Sequence, residues 1–224
     1  MKPLVFLGTN SVLQRHIDAC QRQDQPIAGI IDSDWFGNQE TFAGLPLLDS
    51  QDIFNTDPNK YKDYVFFIGT NWFPGAGRDI IKRKTMIDLV VKHQLHCINL
   101  IDPTSYISPT AQLGSGIFIG ANVSIEPGAI VNDFAILWGN YSVGHDSIIG
   151  QNSVLQRGAS IHAKLGQDVY VGNGTWLFKH QGITVGDRAI FDPCLHVARD
   201  VLTNEHVKLD RTAHRVYRAQ QPSN

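Results

Sequence analysis

The sequence predicts an α/β domain followed by a parallel β-helix, and three observations carry that expectation. An aliphatic residue recurs every six positions, at Ile107, Leu113, Ile119, Ile125, Val131, Leu137, Val143, Ile149, Leu155 and Ile161. Glycine often follows it (Gly114, Gly120, Gly144, Gly150), and the residue four on is mostly small, as at Ala111, Ala129, Ala135, Ser147, Ser153 and Ala159. Ahead of the repeat, short apolar runs alternate with helical patterns, as a chain of βα units does. A period of six fits neither the 3.6 of a helix nor the 2 of a lone strand. It fits one face of a triangular prism, three of which close a coil of about 18 residues. Each repeat then buries its apolar residue only by stacking on its neighbours.

With 224 residues the chain has room for one large or two modest domains, and its twenty glycines suit tight corners. A net charge of −2 gives no electrostatic case for nucleic acid or a membrane surface. Cys20, Cys97 and Cys194 are odd in number, far apart and without metal-ligand spacing. They read as reduced thiols of a cytoplasmic protein. No apolar run approaches the ~20 residues that span a bilayer, and no signal-peptide pattern opens the sequence.

In order along the chain, Leu4–Leu7 reads as a buried strand entering the turn Gly8-Thr9-Asn10-Ser11. Asn10 or Ser11 can cap a helix whose apolar face carries Leu13, Ile17 and Cys20. A second strand, Ile27–Ile31, ends at Asp32, giving a β-α-β unit of nucleotide-binding type. G-x-G-x-x-G is absent and only Gly8 remains of it, so the motif is weak. Residues 33–63 read as loop with a short helix near Ser50–Phe54. Tyr64–Ile68 is a third strand, Asp79–His93 a helix and Cys97–Ile101 a fourth strand, so that residues 1–102 form one small domain. The β-helix occupies 103–203, with register shifts after Ile161 and around His180–Thr184, each a loop or a distorted corner. The repeat resumes at Leu165, Val171 and Leu177, then at Val185, Phe191 and Val197. Residues 204–224 read as a cap over the prism end and a frayed terminus.

The pair His145-Asp146 follows the inward Val143 and projects from a corner. Histidine titrates near neutrality and accepts a proton from a hydroxyl or amine, and a neighbouring carboxylate can hold its tautomer. The competing explanation is a solvated corner histidine.

Gly8, Ile30-Ile31-Asp32, Gly44-Leu45-Pro46, Ile68-Gly69-Thr70-Asn71 and Ile101-Asp102-Pro103-Thr104 lead in order into Val143-Gly144-His145-Asp146. Together they resemble the sialic acid O-acetyltransferase-like family of sugar acyltransferases, which includes bacterial N-acetyltransferases for amino-sugar nucleotides. The resemblance runs to about Val201. It implies a Rossmann-like sugar-nucleotide domain, a left-handed parallel β-helix, and a homotrimer with active sites between prisms. It implies acetyl-CoA as co-substrate without a metal, His145 as general base and Asp146 as its orienting carboxylate. It also implies an oxyanion-binding N–H near Ala163, cofactor contact at Ala163 and Gly172, and nucleotide-sugar contact through Gly8, Thr9, Asn10, Ser11, Asp32 and Asn71. The chain departs from the family pattern at Trp138 and Val154, where an asparagine and a second histidine are usual. It departs again at Asp192-Pro193-Cys194, where relatives carry a glycine-alanine segment along the CoA, and at Arg211–Arg215.

Two rivals remain at this point. His145, His162 and His180, spaced by about one coil, could hold zinc in a γ-carbonic-anhydrase-like hydratase. A binding or scaffold protein that kept the sugar-nucleotide domain and lost turnover is the other.

Overall fold

The computed structural model describes residues 1–75, 77–178 and 182–209. Strands β1 (Leu4–Leu7), β2 (Ile27–Ile31), β3 (Thr41–Phe42), β4 (Leu45–Asp49) and β5 (Val65–Ile68) form one sheet, in the order β3-β4-β2-β1-β5. All neighbours in it are parallel except β3 and β4. Helix α1 (Leu13–Arg22) buries Leu13, Ile17 and Cys20, the face its spacing predicts. Asn10 holds its entry, with Oδ1 accepting the Val12 N–H at 3.2 Å.

The hairpin of β3 and β4 lies where a loop is expected. Pro46 and the Asp/Asn-rich surroundings hide a strand that takes its place only by pairing with β2. The short helix α2 falls at Ile53–Thr56, and α3 runs Gly77–His93. Met86, Ile87 and Val90 of α3 are buried, but Ile80, Ile81 and Val91 are exposed.

The strand expected over Cys97–Ile101 is divided between two sheets. Cys97 bridges to Phe66 beside β5, whereas Leu100–Ile101 pairs with Phe118–Ile119 as the first rung of the prism. Beyond it, among the described residues, three parallel sheets of seven, six and five strands stack coil upon coil. Ile119, Ile125, Val131, Leu137, Val143, Ile149, Leu155, Ile161, Leu165, Val171 and Leu177 all point into one apolar column, each at most 3% exposed. Three residues past an inward aliphatic the chain adopts left-handed φ at Asn122, Asn140, Asp146, Asn152, Asp168 and Asn204, between 55° and 61°. Asn and Asp tolerate that region better than other side chains do, which explains their recurrence at corners. His206–Val207 adds a last rung beside Ile190–Phe191, so the expected cap begins as one more strand; residues 210–224 lie outside the described ones.

One face of the prism is covered by the α/β domain. The outward side chains Phe118, Ile136 and Val154 share a core with Phe6, Leu13, Ile17, Phe67 and Trp72. Trp138 and Val154, the departures from the family pattern, belong to this junction. At its centre Arg83 of α3 is fully buried. Its Nε donates to Asn152 Oδ1 at 2.7 Å, Nη2 to the Phe134 carbonyl at 2.6 Å, and Nη1 to the Thr70 carbonyl. Asn152 in turn donates to Asp168 and accepts the Trp72 indole N–H. No helix among the described residues is long and apolar enough to cross a membrane.

His16 of α1 also sits in this junction, fully buried and stacked parallel to Trp138 with ring centroids 5.9 Å apart. Burial above all, and then the charges of Arg83 and Arg15, push its pKa down from 6.5 to about 3. Between those values the unfolded chain binds a proton that the folded one refuses. Stability is therefore complete above about pH 6.5 and falls as the pH drops toward 3. Urea unfolding should show His16 contributing a slope of about 1.4 kcal/mol per pH unit in that window. His16→Phe should flatten it, and an unchanged slope would mean that other groups govern the acid limb.

Candidate active site

The prism has three corner series, and only one departs from its period. Four residues separate Ile161 from Leu165, eight separate Leu177 from Val185, and four separate Val197 from Val201. These irregular corners stack in line with the regular corner that carries His145, between Val143 and Ile149. The other two series keep their spacing of six throughout the described residues.

At several full-length corners the N–H two before the inward aliphatic closes on the carbonyl three residues back. Ala129 does so to Glu126, Ser147 to Gly144 and Ser153 to Gly150, at 3.2, 3.2 and 3.3 Å. Between Ile161 and Leu165 that turn is open, as it also is at the regular corners of Ala135, Ala159 and Ala189. The Ala163 N–H makes no hydrogen bond to any described residue, although Ala163 is only 3% exposed. What sets it apart from the equally unpaired N–H groups of Ala135, Ala159 and Ala189 is that Ala163 lines a cleft, where a ligand or water can meet it.

Ala163 lines a cleft of about 500 Å³ together with His145, Asp146, His162, Lys164, Thr184 and Asp200. His145 Nδ1 lies 2.9 Å from Asp146 Oδ2, and the backbone N–H of His145 donates to Glu126 Oε2 at 3.0 Å. The His145 side chain is 59% exposed, so its imidazole is open to an incoming group. Asp146 occupies the left-handed corner position, with φ 57°. The corner geometry and the histidine thus both favour an aspartate there. His162 stands perpendicular to His145, ring centroids 4.6 Å apart. Among the described residues no three His, Cys, Asp or Glu side chains converge as metal ligands, and His180 of the expected zinc set lies outside those residues.

A second cavity, about 1120 Å³, opens at the end of the α/β sheet. Thr9, Asn10, Ser11 and Asp32 line it, joined by Asp34, Trp35, Gln51, Arg78 and Lys82. The Asp32 side chain is fully buried. It accepts the Thr9 hydroxyl at 2.7 Å, and Lys82 Nζ reaches its two oxygens at 3.0 and 2.8 Å. Lys82 also pairs with the exposed Asp34 at 2.7 Å.

The structure brings His145, Asp146 and Ala163 together in one cleft and Thr9, Asn10, Ser11 and Asp32 in the other cavity. Three expected residues line neither. Gly8 has φ 68°, and a Cβ there would meet Thr70 Cγ2 at 3.1 Å, so it serves the turn. Asn71 is buried, and its carbonyl accepts the Asn10 side chain at 2.8 Å, so it acts one residue removed. A Cβ on Gly172 would strike the Pro193 nitrogen at 2.6 Å, and this close stacking of coils accounts for the glycine. Lys82, Arg78 and Lys164 are the site residues that sequence reasoning missed, and His162 was singled out only as a zinc ligand. The acid pair Asp32 and Asp34 was the available signal for a cation opposite.

No protein-family model matches the sequence. Solved structures do. The acetyltransferase domain of PglB from Neisseria gonorrhoeae FA1090, in complex with acetyl coenzyme A, superposes with a TM-score of 0.76 at 17% identity, covering 92% of this chain and 95% of that one. PerB from Caulobacter crescentus, in complex with CoA and GDP-perosamine, gives 0.68 at 21% identity over 90% and 91% of the two chains. WeeI from Acinetobacter baumannii AYE gives 0.74 at 17% identity over 92% and 96%. The chain has the fold these proteins share, an α/β domain joined to a left-handed parallel β-helix. The superpositions cover at least nine-tenths of each of these chains.

Proposed function

We propose that the protein is a sugar N- or O-acetyltransferase that uses acetyl-CoA and a nucleotide-linked acceptor, serving bacterial surface-glycan biosynthesis in the cytoplasm. The observation that carries this reading is the Ala163 N–H, left without a partner in the cleft that holds the His145–Asp146 pair. A base beside a free N–H is what acyl transfer requires. His145 Nε2 takes the proton of the attacking amine or hydroxyl, while Asp146 fixes Nδ1 as the protonated nitrogen and balances the imidazolium. The N–H of Ala163 stabilises the oxyanion of the tetrahedral intermediate. The acceptor's nucleotide occupies the larger cavity. There Arg78 offers positive charge to phosphates, and Lys82, held by Asp32 and Asp34, lines the same cavity.

The complexes of similar structures with acetyl coenzyme A and with GDP-perosamine support the two ligand classes. A homotrimer completes the site, and exposed aromatic side chains on the prism offer it an apolar surface. Tyr106 and Trp176 on the adjoining sheet face are 58% and 55% exposed, and Phe178 is 49% exposed. The departure at Asp192 does not oppose an anionic co-substrate strongly. Its carboxylate is engaged by His206 Nε2 at 2.9 Å and by the Leu209 N–H at 3.0 Å.

The test is a thermal-shift titration with acetyl-CoA and a panel of nucleotide-sugars, followed by assay of acetyl transfer to those that bind. Ligand at a hundredfold its Kd should stabilise the fold by about 2.7 kcal/mol. Binding of nucleotide-sugar without acetyl-CoA binding or transfer would instead establish the scaffold reading.

A further inference from the structure

We infer that His162 is a second oxyanion donor, its ring N–H acting together with the Ala163 backbone N–H. The inference rests on the proposed acetyl transfer and adds a residue to it. Three contacts fix the ring of His162. His145 meets it at 86° with centroids 4.6 Å apart, and Phe178 meets it at 89° and 5.4 Å. Gly144 makes room on a third side, for a Cβ there would lie 3.2 Å from His162 Nδ1. Nδ1 is thus packed against the Gly144 backbone, and Nε2 is the ring nitrogen that the cleft can use. Neither nitrogen is hydrogen-bonded to a described residue.

The ring is therefore held in place but chemically uncommitted, between the base and the N–H of the next residue. In the transfer, the acceptor nitrogen or oxygen attacks the thioester carbon and its proton passes to His145. The π pair of the carbonyl moves onto oxygen, where the Ala163 N–H and the His162 Nε2–H donate to it. When that pair returns, the C–S bond breaks and the thiolate takes the proton from His145 as CoA thiol. His162 neither gains nor loses a proton across the cycle, so a neutral imidazole suffices, as a fixed dipole aimed at developing charge.

The experiment compares His162→Leu, which has no donor, with His162→Gln, which keeps an N–H of similar reach. Rates are measured with acetyl-CoA and the nucleotide-linked acceptor that wild type uses, and CoA affinity and melting temperature are measured alongside. His162→Leu should lose about 10²–10³ in kcat, the span for removing one oxyanion donor, with CoA affinity preserved. His162→Gln should recover most of that loss. Should the leucine variant unfold, His162→Met takes its place as the variant without a donor. Equal losses in the donor-bearing and donor-free variants, or full activity in the leucine variant, overturn the inference. If His145→Asn is inactive at the same time, the proposed function survives that failure. A wild type that transfers acetyl to no nucleotide-linked amine or hydroxyl sinks both.

Discussion

Turnover should fall about 10²–10⁴-fold in His145→Asn, the range for losing a general base, while fold, assembly and binding of both substrates persist. The expectation of intact structure comes from the exposure of the side chain, 59%, and from its single hydrogen-bonding partner, Asp146. Asparagine keeps polarity and approximate size but cannot accept the acceptor's proton at useful basicity. Asp146→Asn should cost less, because asparagine also tolerates the left-handed corner at φ 57° and only the orientation and basicity of the ring change. Wild-type turnover by His145→Asn on the true acceptor would remove the histidine from the mechanism.

The largest expected effect on stability belongs to Arg83. Met in its place fills a similar volume but leaves the Thr70 and Phe134 carbonyls and Asn152 Oδ1 without their donors, all within the junction of the two domains. Each buried acceptor left without its donor costs about 1–3 kcal/mol, so three of them together make the loss several kcal/mol. Burial pulls the guanidinium down to about 9, and part of what holds it charged is Asp168, reached through Asn152. Loss of Arg83 therefore frees Asn152 and weakens a corner of the prism as well as the helix that carries Arg83. Equilibrium denaturation of Arg83→Met would measure the cost. A loss under about 1 kcal/mol, the scale of one net hydrogen bond, would mean that water enters and replaces the arginine.

How far the chain could be read in advance depended on the range of the interaction that decides each part. The column from Ile119 to Ile161 was legible because each coil repeats the same local requirement. The corner residues were legible for the same reason. The strand β4 was not, since Pro46 argues against it locally and only pairing with β2 outweighs that. Leu100–Ile101 was assigned to the wrong sheet because an apolar dipeptide carries no label for its partner, and Phe118–Ile119 lies 18 residues on. In the candidate site, His145-Asp146 stood out as a dipeptide. Lys82 did not, because its meaning comes from Asp32, which only the folded chain brings to it, and His162 was noticed for its spacing from His145 but read as a metal ligand. The register shift after Ile161 was visible, but that it brings Ala163 into the cleft beside His145 is seen only in the folded chain.

All the irregular spacings of the prism fall on the single edge that carries His145. Length can therefore vary there while the aliphatic column and the other two edges remain as they are. Such an arrangement divides the molecule into a part that is inherited unchanged and a part that is free to diverge. Insertions and deletions along that edge could reshape what the cleft admits without retuning the stack that supports it. A new acceptor could then be accommodated by altering one loop length, with the rest of the scaffold left intact.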